Sequence, residues 1–228
     1  MQLGNKKLIL FDLDGTLVDS VPDLALAVND MLTTLGRESF DVDVIRSWVG
    51  NGAQTLVKRG LCGSSEINEN LDEALFVKAL DVFLKSYAKN LCVETVTYPN
   101  VVSSLQTLKD EGFRLALVTN KPFDFIEPLL KGLGMKGMFE LCLGGDSLAV
   151  KKPNPEPLLH ICKVLGVSVE NSLIVGDSKN DILAANSAKM QSIAVSYGYN
   201  YGEDISVHNP DYVVDDFAEI LSVLGVKA

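Results

Sequence analysis

Two aspartates stand two residues apart in Phe11-Asp12-Leu13-Asp14-Gly15-Thr16-Leu17-Val18-Asp19-Ser20, directly behind an apolar run. Carboxylates that close repel one another, so one of them must bind a metal, hold a proton or reach solvent. Such a pair can share work in phosphoryl transfer. One carboxylate attacks and forms an aspartyl-phosphate, and a carboxylic acid two residues on protonates the leaving alkoxide and then activates water. Three later segments carry groups suited to the same reaction. Leu117-Val118-Thr119-Asn120-Lys121 offers a hydroxyl and an amide, and Lys151-Lys152-Pro153-Asn154-Pro155 sets cations in a proline-stiffened loop. Val175-Gly176-Asp177-Ser178-Lys179-Asn180-Asp181 adds two more carboxylates. Taken singly, each has a plainer reading: solvated loop aspartates, turn residues, a surface lysine pair, a helix cap. Together they supply oxygen ligands of the kind Mg²⁺ takes. Thr119, backbone N–H groups and a lysine would also neutralise a transferring phosphoryl group.

These groups need a scaffold that brings distant segments to one edge. Short apolar runs recur at Leu8–Phe11, Leu115–Val118, Leu141–Leu143, Leu173–Val175, Ile193–Val195 and Tyr212–Val214, each ending in a polar or glycine-rich stop. Runs of this length without alternation read as strands buried on both faces. Helical patterns lie between most of them, at Val101–Glu111, Phe123–Gly132, Pro157–Leu165 and Ile182–Lys189. Strands alternating with helices predict an α/β fold, a doubly wound parallel sheet with helices on both faces. Ligands of such sheets sit beyond the carboxyl ends of the strands, where all four segments fall.

The first connection is too long for this scheme. About 80 residues separate the first two strands, where a few are usual, and they carry helical patterns of their own. Ser20 and Asp23 are spaced as a capping box, Pro22 suits a first helical turn, and Gly36 suits a helix end. Leu24, Val28, Met31, Leu32 and Leu35 form one stripe, and a longer helix is expected from about Ser65 to Lys89. The reading is a small helical domain at 20–90 inserted into a core domain made of 1–19 and 91–228.

Composition narrows the classes. Twenty basic against 30 acidic side chains give a net charge of −10 in 228 residues, which argues against a broad basic face for nucleic acid. The apolar stretches are too short for a signal peptide or a membrane span. Cys62, Cys92, Cys142 and Cys162 lie far apart with no Cys-x-x-Cys pair, so reduced thiols and a cytoplasmic location are expected. There is no Gly-x-Ser-x-Gly elbow, His-Glu-x-x-His motif or phosphate-binding Gly-x-x-x-x-Gly-Lys loop. Of the two histidines, His160 is expected partly buried on a helix and His208 on the surface.

With four motifs in this order, the sequence resembles a haloacid dehalogenase-superfamily phosphatase over essentially its whole length. The resemblance implies a Rossmann-like core with a helical cap and a Mg²⁺ cofactor held by Asp12, Asp177 and the backbone carbonyl of Asp14. It makes Asp12 the nucleophile and Asp14 the general acid and base. Thr119 and Lys152 would hold the phosphate, Asn120 would bind substrate beside them, and Asp181 would orient water or Lys152. Trp48-Val49-Gly50-Asn51-Gly52-Ala53, Tyr98-Pro99-Asn100 and Thr119-Asn120-Lys121-Pro122 further resemble the bacterial phosphoglycolate phosphatases. By that likeness Gly50, Asn51 and Gly52 would face the substrate, with Lys58 and Arg59 as candidates for its carboxylate. Asn186-Ser187-Ala188-Lys189-Met190 departs from the small residues usual after the fourth motif. The enzyme is expected to be a monomer or homodimer acting on a small phosphorylated metabolite, without nucleic-acid or membrane partners. A sugar phosphomutase on the same scaffold is the alternative, and a phospho-accepting signalling domain is a more distant one.

Overall fold

The computed structural model describes Leu3 and residues 5–226; positions 1, 2, 4, 227 and 228 of the expected core domain lie outside the described residues. The chain opens with β1 (Leu8–Phe11) and β2 (Val18–Asp19). Four helices follow, α1 (Val21–Thr34), α2 (Val42–Arg46), α3 (Ala53–Cys62) and α4 (Glu73–Lys89). Next come β3 (Val96–Thr97), α5 (Val101–Asp110), β4 (Arg114–Val118), α6 (Ile126–Gly132), β5 (Leu141–Leu143) and α7 (Glu156–Leu165). The last third holds β6 (Ser172–Gly176), α8 (Lys179–Ala188), β7 (Gln191–Val195), β8 (Tyr212–Val214) and α9 (Glu219–Val223).

Six strands pair in parallel in the order β5-β4-β1-β6-β7-β8, which places β1 in the interior between β4 and β6. Ile9 and Phe11 point to one face and pack with α5, α6 and α9, whereas Leu8 and Leu10 pack on the other with α7 and α8. Both faces are covered, and unbroken apolar runs are what such strands require. The α/β expectation holds, and the six expected strand segments all lie within this one sheet.

Helices α1 to α4 share a separate apolar cluster that includes Val28, Met31, Ile45, Leu56, Val57, Phe76 and Phe83. Gly36 sits at φ +69° just beyond α1, and the N–H of Arg37 reaches back to the Leu32 carbonyl at 2.9 Å. That left-handed residue terminates the helix, as expected. The long helix begins later than its apolar stripe suggests, at Glu73 instead of near Ser65. Asn68 accepts a bond from the N–H of Asn70, and the Asp72 side chain accepts one from the N–H of Leu75 at 2.7 Å. These side chains satisfy the backbone in a turn and a cap, so residues 65–72 leave the helix. The glycine-bounded stretch before them folds into α3, a helix the stripe analysis does not delimit.

The expected capping box at Ser20 and Asp23 does not form. The Ser20 hydroxyl donates to Asp14, while Asp23 is fully buried and accepts from a returning strand of chain. Its carboxylate takes the N–H groups of Val93, Glu94 and Thr95 at 3.1, 3.0 and 2.9 Å, and the Thr95 hydroxyl at 2.6 Å. Beside it, β2 and β3 pair antiparallel, so the outgoing and returning connections between sheet and helices are fastened together. Asp23→Ala would strip four donors of their acceptor. It is expected to cost about 3 kcal/mol or more of unfolding free energy in urea titrations, since charge-assisted bonds contribute most where a buried donor cannot find water. Asp23→Asn, which keeps one acceptor oxygen, is expected to lose less.

Candidate active site

Strands β1, β4 and β6 end side by side, and their following residues define one edge. The N–H of Asp12 still bonds the Val175 carbonyl at 3.0 Å, and that of Thr119 bonds the Leu143 carbonyl at 3.0 Å, so both side chains sit on continued ladder. Beyond Asp12 the chain folds into a tight turn. The N–H groups of Leu17 and Val18 both reach the Leu13 carbonyl, and the N–H of Gly15 reaches the Val18 carbonyl. Gly15 sits at φ +89° with the Asp177 carboxylate and the Tyr199 ring where a side-chain carbon would go. Only glycine permits both the turn and that approach.

Asp12 faces Lys152, whose ammonium lies 2.9 Å from Asp12 Oδ1 and 2.6 Å from Asp181 Oδ1. The other oxygen of Asp181 accepts from the N–H and hydroxyl of Ser178 at 3.1 and 2.9 Å, a capping box at the start of α8. Asp177 accepts from the Tyr199 N–H at 2.7 Å and the Thr16 hydroxyl at 2.9 Å. The Asp12 carboxyl is raised to about 6, with burial pushing it up most, Lys152 pulling it down, and Asp181 and Asp14 adding to the rise. Burial, then Asp12 and Asp181, raise Asp177 well above the carboxylate range. Burial lowers the Lys152 ammonium, but Asp12 and Asp181 outweigh it, and the net shift is upward.

Asp12, Asp177 and Asp181 offer oxygens that lie within 4.8 Å of one another. With all three ionised, three carboxylates against one ammonium leave two negative charges, and all the donors are oxygen, which fits a hard divalent cation. The Asp14 side chain is not in this cluster. It accepts from the Ser20 hydroxyl at 2.6 Å and from the Lys121 ammonium at 2.9 and 3.1 Å.

Asp12, Asp14, Thr119 and Asn120 line one chamber with Gly50 and Gly52. The loop after α2 forms its roof. The Gly50 carbonyl accepts from Asn120 at 3.0 Å and from Asn180 at 3.1 Å, and the Asn51 carbonyl accepts from Lys151 at 2.6 Å. The Asn51 side chain donates to Asn180 and accepts from the Tyr201 hydroxyl, and it is not among the residues that line the chamber. Lys58 and Arg59 are also directed elsewhere. Lys58 lies over the Phe76 ring, and Arg59 donates to the Trp48 and Ser65 carbonyls and lies over Tyr201. His160 is half-buried on α7, as expected, but His208 is also half-buried, 3.4 Å from Glu203.

Residues that motif reading passes over complete the site. Lys121 is buried against Asp14 and the Tyr87 ring. Tyr199 donates through its hydroxyl to Asp19 at 2.6 Å and accepts the Ser20 N–H, tying the turn to the start of α1. Lys121 lies within a quoted motif, so its position was visible; its burial was not.

Comparison with known proteins agrees with this architecture. The haloacid dehalogenase-like hydrolase family matches residues 9–195. A phosphoglycolate phosphatase of Colwellia psychrerythraea is 53% identical over 221 residues, 97% of this chain and 98% of that one. The crystal structure of a predicted phosphoglycolate phosphatase from Haemophilus somnus superposes with a TM-score of 0.89 at 40% identity, covering 96% of this chain and 98% of that one. CbbY from Rhodobacter sphaeroides, solved in complex with phosphate, superposes at 0.77 with 26% identity, over 97% and 100% of the two chains. The chain belongs to the haloacid dehalogenase-like hydrolases, and within them it is a phosphatase.

Proposed function

We propose that this phosphatase is a Mg²⁺-dependent phosphomonoester hydrolase that works through an aspartyl-phosphate on Asp12 and takes 2-phosphoglycolate as substrate. The observation that carries the mechanism is the pair Asp12 and Asp14 at the end of the interior strand β1, each with its own lysine, inside one small chamber. Names of relatives such as the Colwellia protein support the substrate. The four helices between β2 and β3 act as the cap, with residues 20–90 as its extent.

Asp12 attacks phosphorus in line with the ester oxygen. The P–O bond to the leaving group breaks as Asp14 gives that oxygen a proton, which yields glycolate. Asp14 then takes a proton from water, the water oxygen attacks phosphorus, and the acyl-phosphate P–O bond breaks to return Asp12 and free phosphate. Lys152 and Thr119 hold the phosphoryl oxygens while charge is redistributed. Asp12, Asp177 and the Asp14 carbonyl would hold the ion, and bound there it would neutralise phosphoryl charge as a Lewis acid. Asp181, whose oxygens accept from Lys152 and Ser178, would hold that lysine in place.

The test is phosphate release from 2-phosphoglycolate, sugar phosphates and nucleoside monophosphates with Mg²⁺, then with chelator. Strong preference for phosphoglycolate and loss of turnover in chelator are expected. Undiminished turnover in chelator would remove the metal, and an isomerised sugar phosphate without free phosphate would make the protein a mutase.

A further inference from the structure

A substrate that carries a phosphate and a second acidic group brings two separate charges into one chamber. Lys152 answers the first, since it is fixed at Asp12 where phosphorus must arrive. The rest of the wall is mostly apolar, with Leu24, Leu56, Phe83, Tyr87 and Phe125 facing the space. An anion left against those side chains would be desolvated without a partner, which a buried site does not tolerate. Among the described residues lining the chamber, Lys121 is the one cationic side chain.

Its backbone is fixed and its side chain has reach. The Lys121 N–H donates to the Thr119 hydroxyl at 3.2 Å, and its carbonyl accepts the Gly145 N–H at 2.8 Å. The four-carbon stem ends at an ammonium 4.8 Å over Tyr87 and 2.9 Å from Asp14. Lys58 and Arg59, the other cations suggested for this task, are committed to Phe76, Tyr201 and backbone carbonyls. Lysine suits such a partner exchange, being a compact charge on a flexible stem where arginine would be a rigid fork.

We propose that Lys121 is the specificity residue that binds the substrate carboxylate, exchanging Asp14 for it when substrate enters. The inference rests on the reading of the protein as a phosphoglycolate phosphatase. It places the carboxylate toward Tyr87 and the phosphate toward Asp12, with Asp14 between them beside the bridging ester oxygen. Recognition and chemistry are thereby linked, because the group that selects the substrate also leaves the acid–base residue as it does so.

The experiment compares 2-phosphoglycolate with 2-hydroxyethyl phosphate, in which a neutral hydroxymethyl group replaces the carboxylate. In the wild-type protein kcat/KM should strongly favour phosphoglycolate. Lys121→Met should lower the ratio of the two kcat/KM values by roughly 100-fold, the scale of truncating one partner of a buried charge pair. The loss should lie mainly in KM for phosphoglycolate, and Lys121→Arg should restore part of the ratio. A ratio unchanged in Lys121→Met, with both substrates slowed alike, would overturn the inference and reduce Lys121 to a partner of Asp14. An unchanged ratio with neither substrate slowed would overturn it as well. Failure of the functional reading shows differently, as a wild-type protein that hydrolyses neither compound or prefers the neutral one. Should Lys121→Met not fold, Lys121→Gln, which keeps a polar side chain without the charge, makes the same comparison, and an unchanged ratio in that variant would overturn the assignment.

Discussion

Asn in place of Asp12 is expected to leave a folded protein whose phosphate release is at least about 10³-fold slower, because an amide oxygen cannot form the covalent intermediate. The substitution is nearly isosteric, and the backbone of residue 12 stays paired with Val175. It also removes one of three carboxylates that lie within 4.8 Å of one another. Stability should therefore not suffer as activity does. Burial holds the Asp12 carboxyl at about 6, above the ordinary carboxylate value of 3.8. The folded state then binds its proton more tightly than the unfolded chain, so this group's contribution is fully present below 3.8 and is lost as pH rises through 6. In chelator the wild-type protein should lose stability over that window, and Asp12→Asn should lose less. Thermal melts across pH, beside steady-state phosphate release, check both. Near-normal hydrolysis by Asp12→Asn would place the nucleophile elsewhere.

The parts that sequence made legible are those with a local cause. β1 announced itself because a strand covered on both faces has to be apolar throughout, and Asp12 followed because such a run must end in something polar. Asp177 and Asp181 were legible for the same reason after β6. Partnerships made across the fold were not. The Ser20 and Asp23 spacing satisfies a capping rule, yet the donors that claim Asp23 arrive about 70 residues later, at Val93 to Thr95. Nothing within a helical turn of Asp23 records them.

The apolar stripe from Ser65 misplaces the start of α4 for a related reason. Ile67 continues the stripe but is exposed, and the local bonds of Asn68 and Asp72 decide the boundary. Lys121 illustrates the limit best. In the sequence Lys121 reads as a turn residue, and only the packing of Tyr87 from α4 against the end of β4 reveals it as buried. Asn51 is a second case, since nothing in its motif marks its contact with Tyr201, 150 residues on.

Lys152→Met is expected to damage the protein in two separable ways. Lys152 is the cation at the centre of the carboxylate cluster, nearly enclosed and paired with both Asp12 and Asp181. Removing it leaves Asp181 fully buried with one oxygen unpaired, and breaking a buried pair in this manner costs about 3–5 kcal/mol. It also removes a positive charge from the phosphoryl position, where loss of one preorganised contact lowers kcat by roughly 10²–10³. The double variant Lys152→Met/Asp181→Asn separates the effects. With Asp181 neutral, the more deeply buried of the two stranded charges is gone and Ser178 still has an acceptor for its cap, so part of the stability should return, while turnover should not, since no cation has been restored at Asp12. Denaturant unfolding and phosphate release on the four proteins of this cycle give the two coupling energies directly. Recovery of turnover in the double variant would mean that Lys152 only neutralises Asp181. A single variant as stable as wild type would mean that the cluster holds itself together without its lysine.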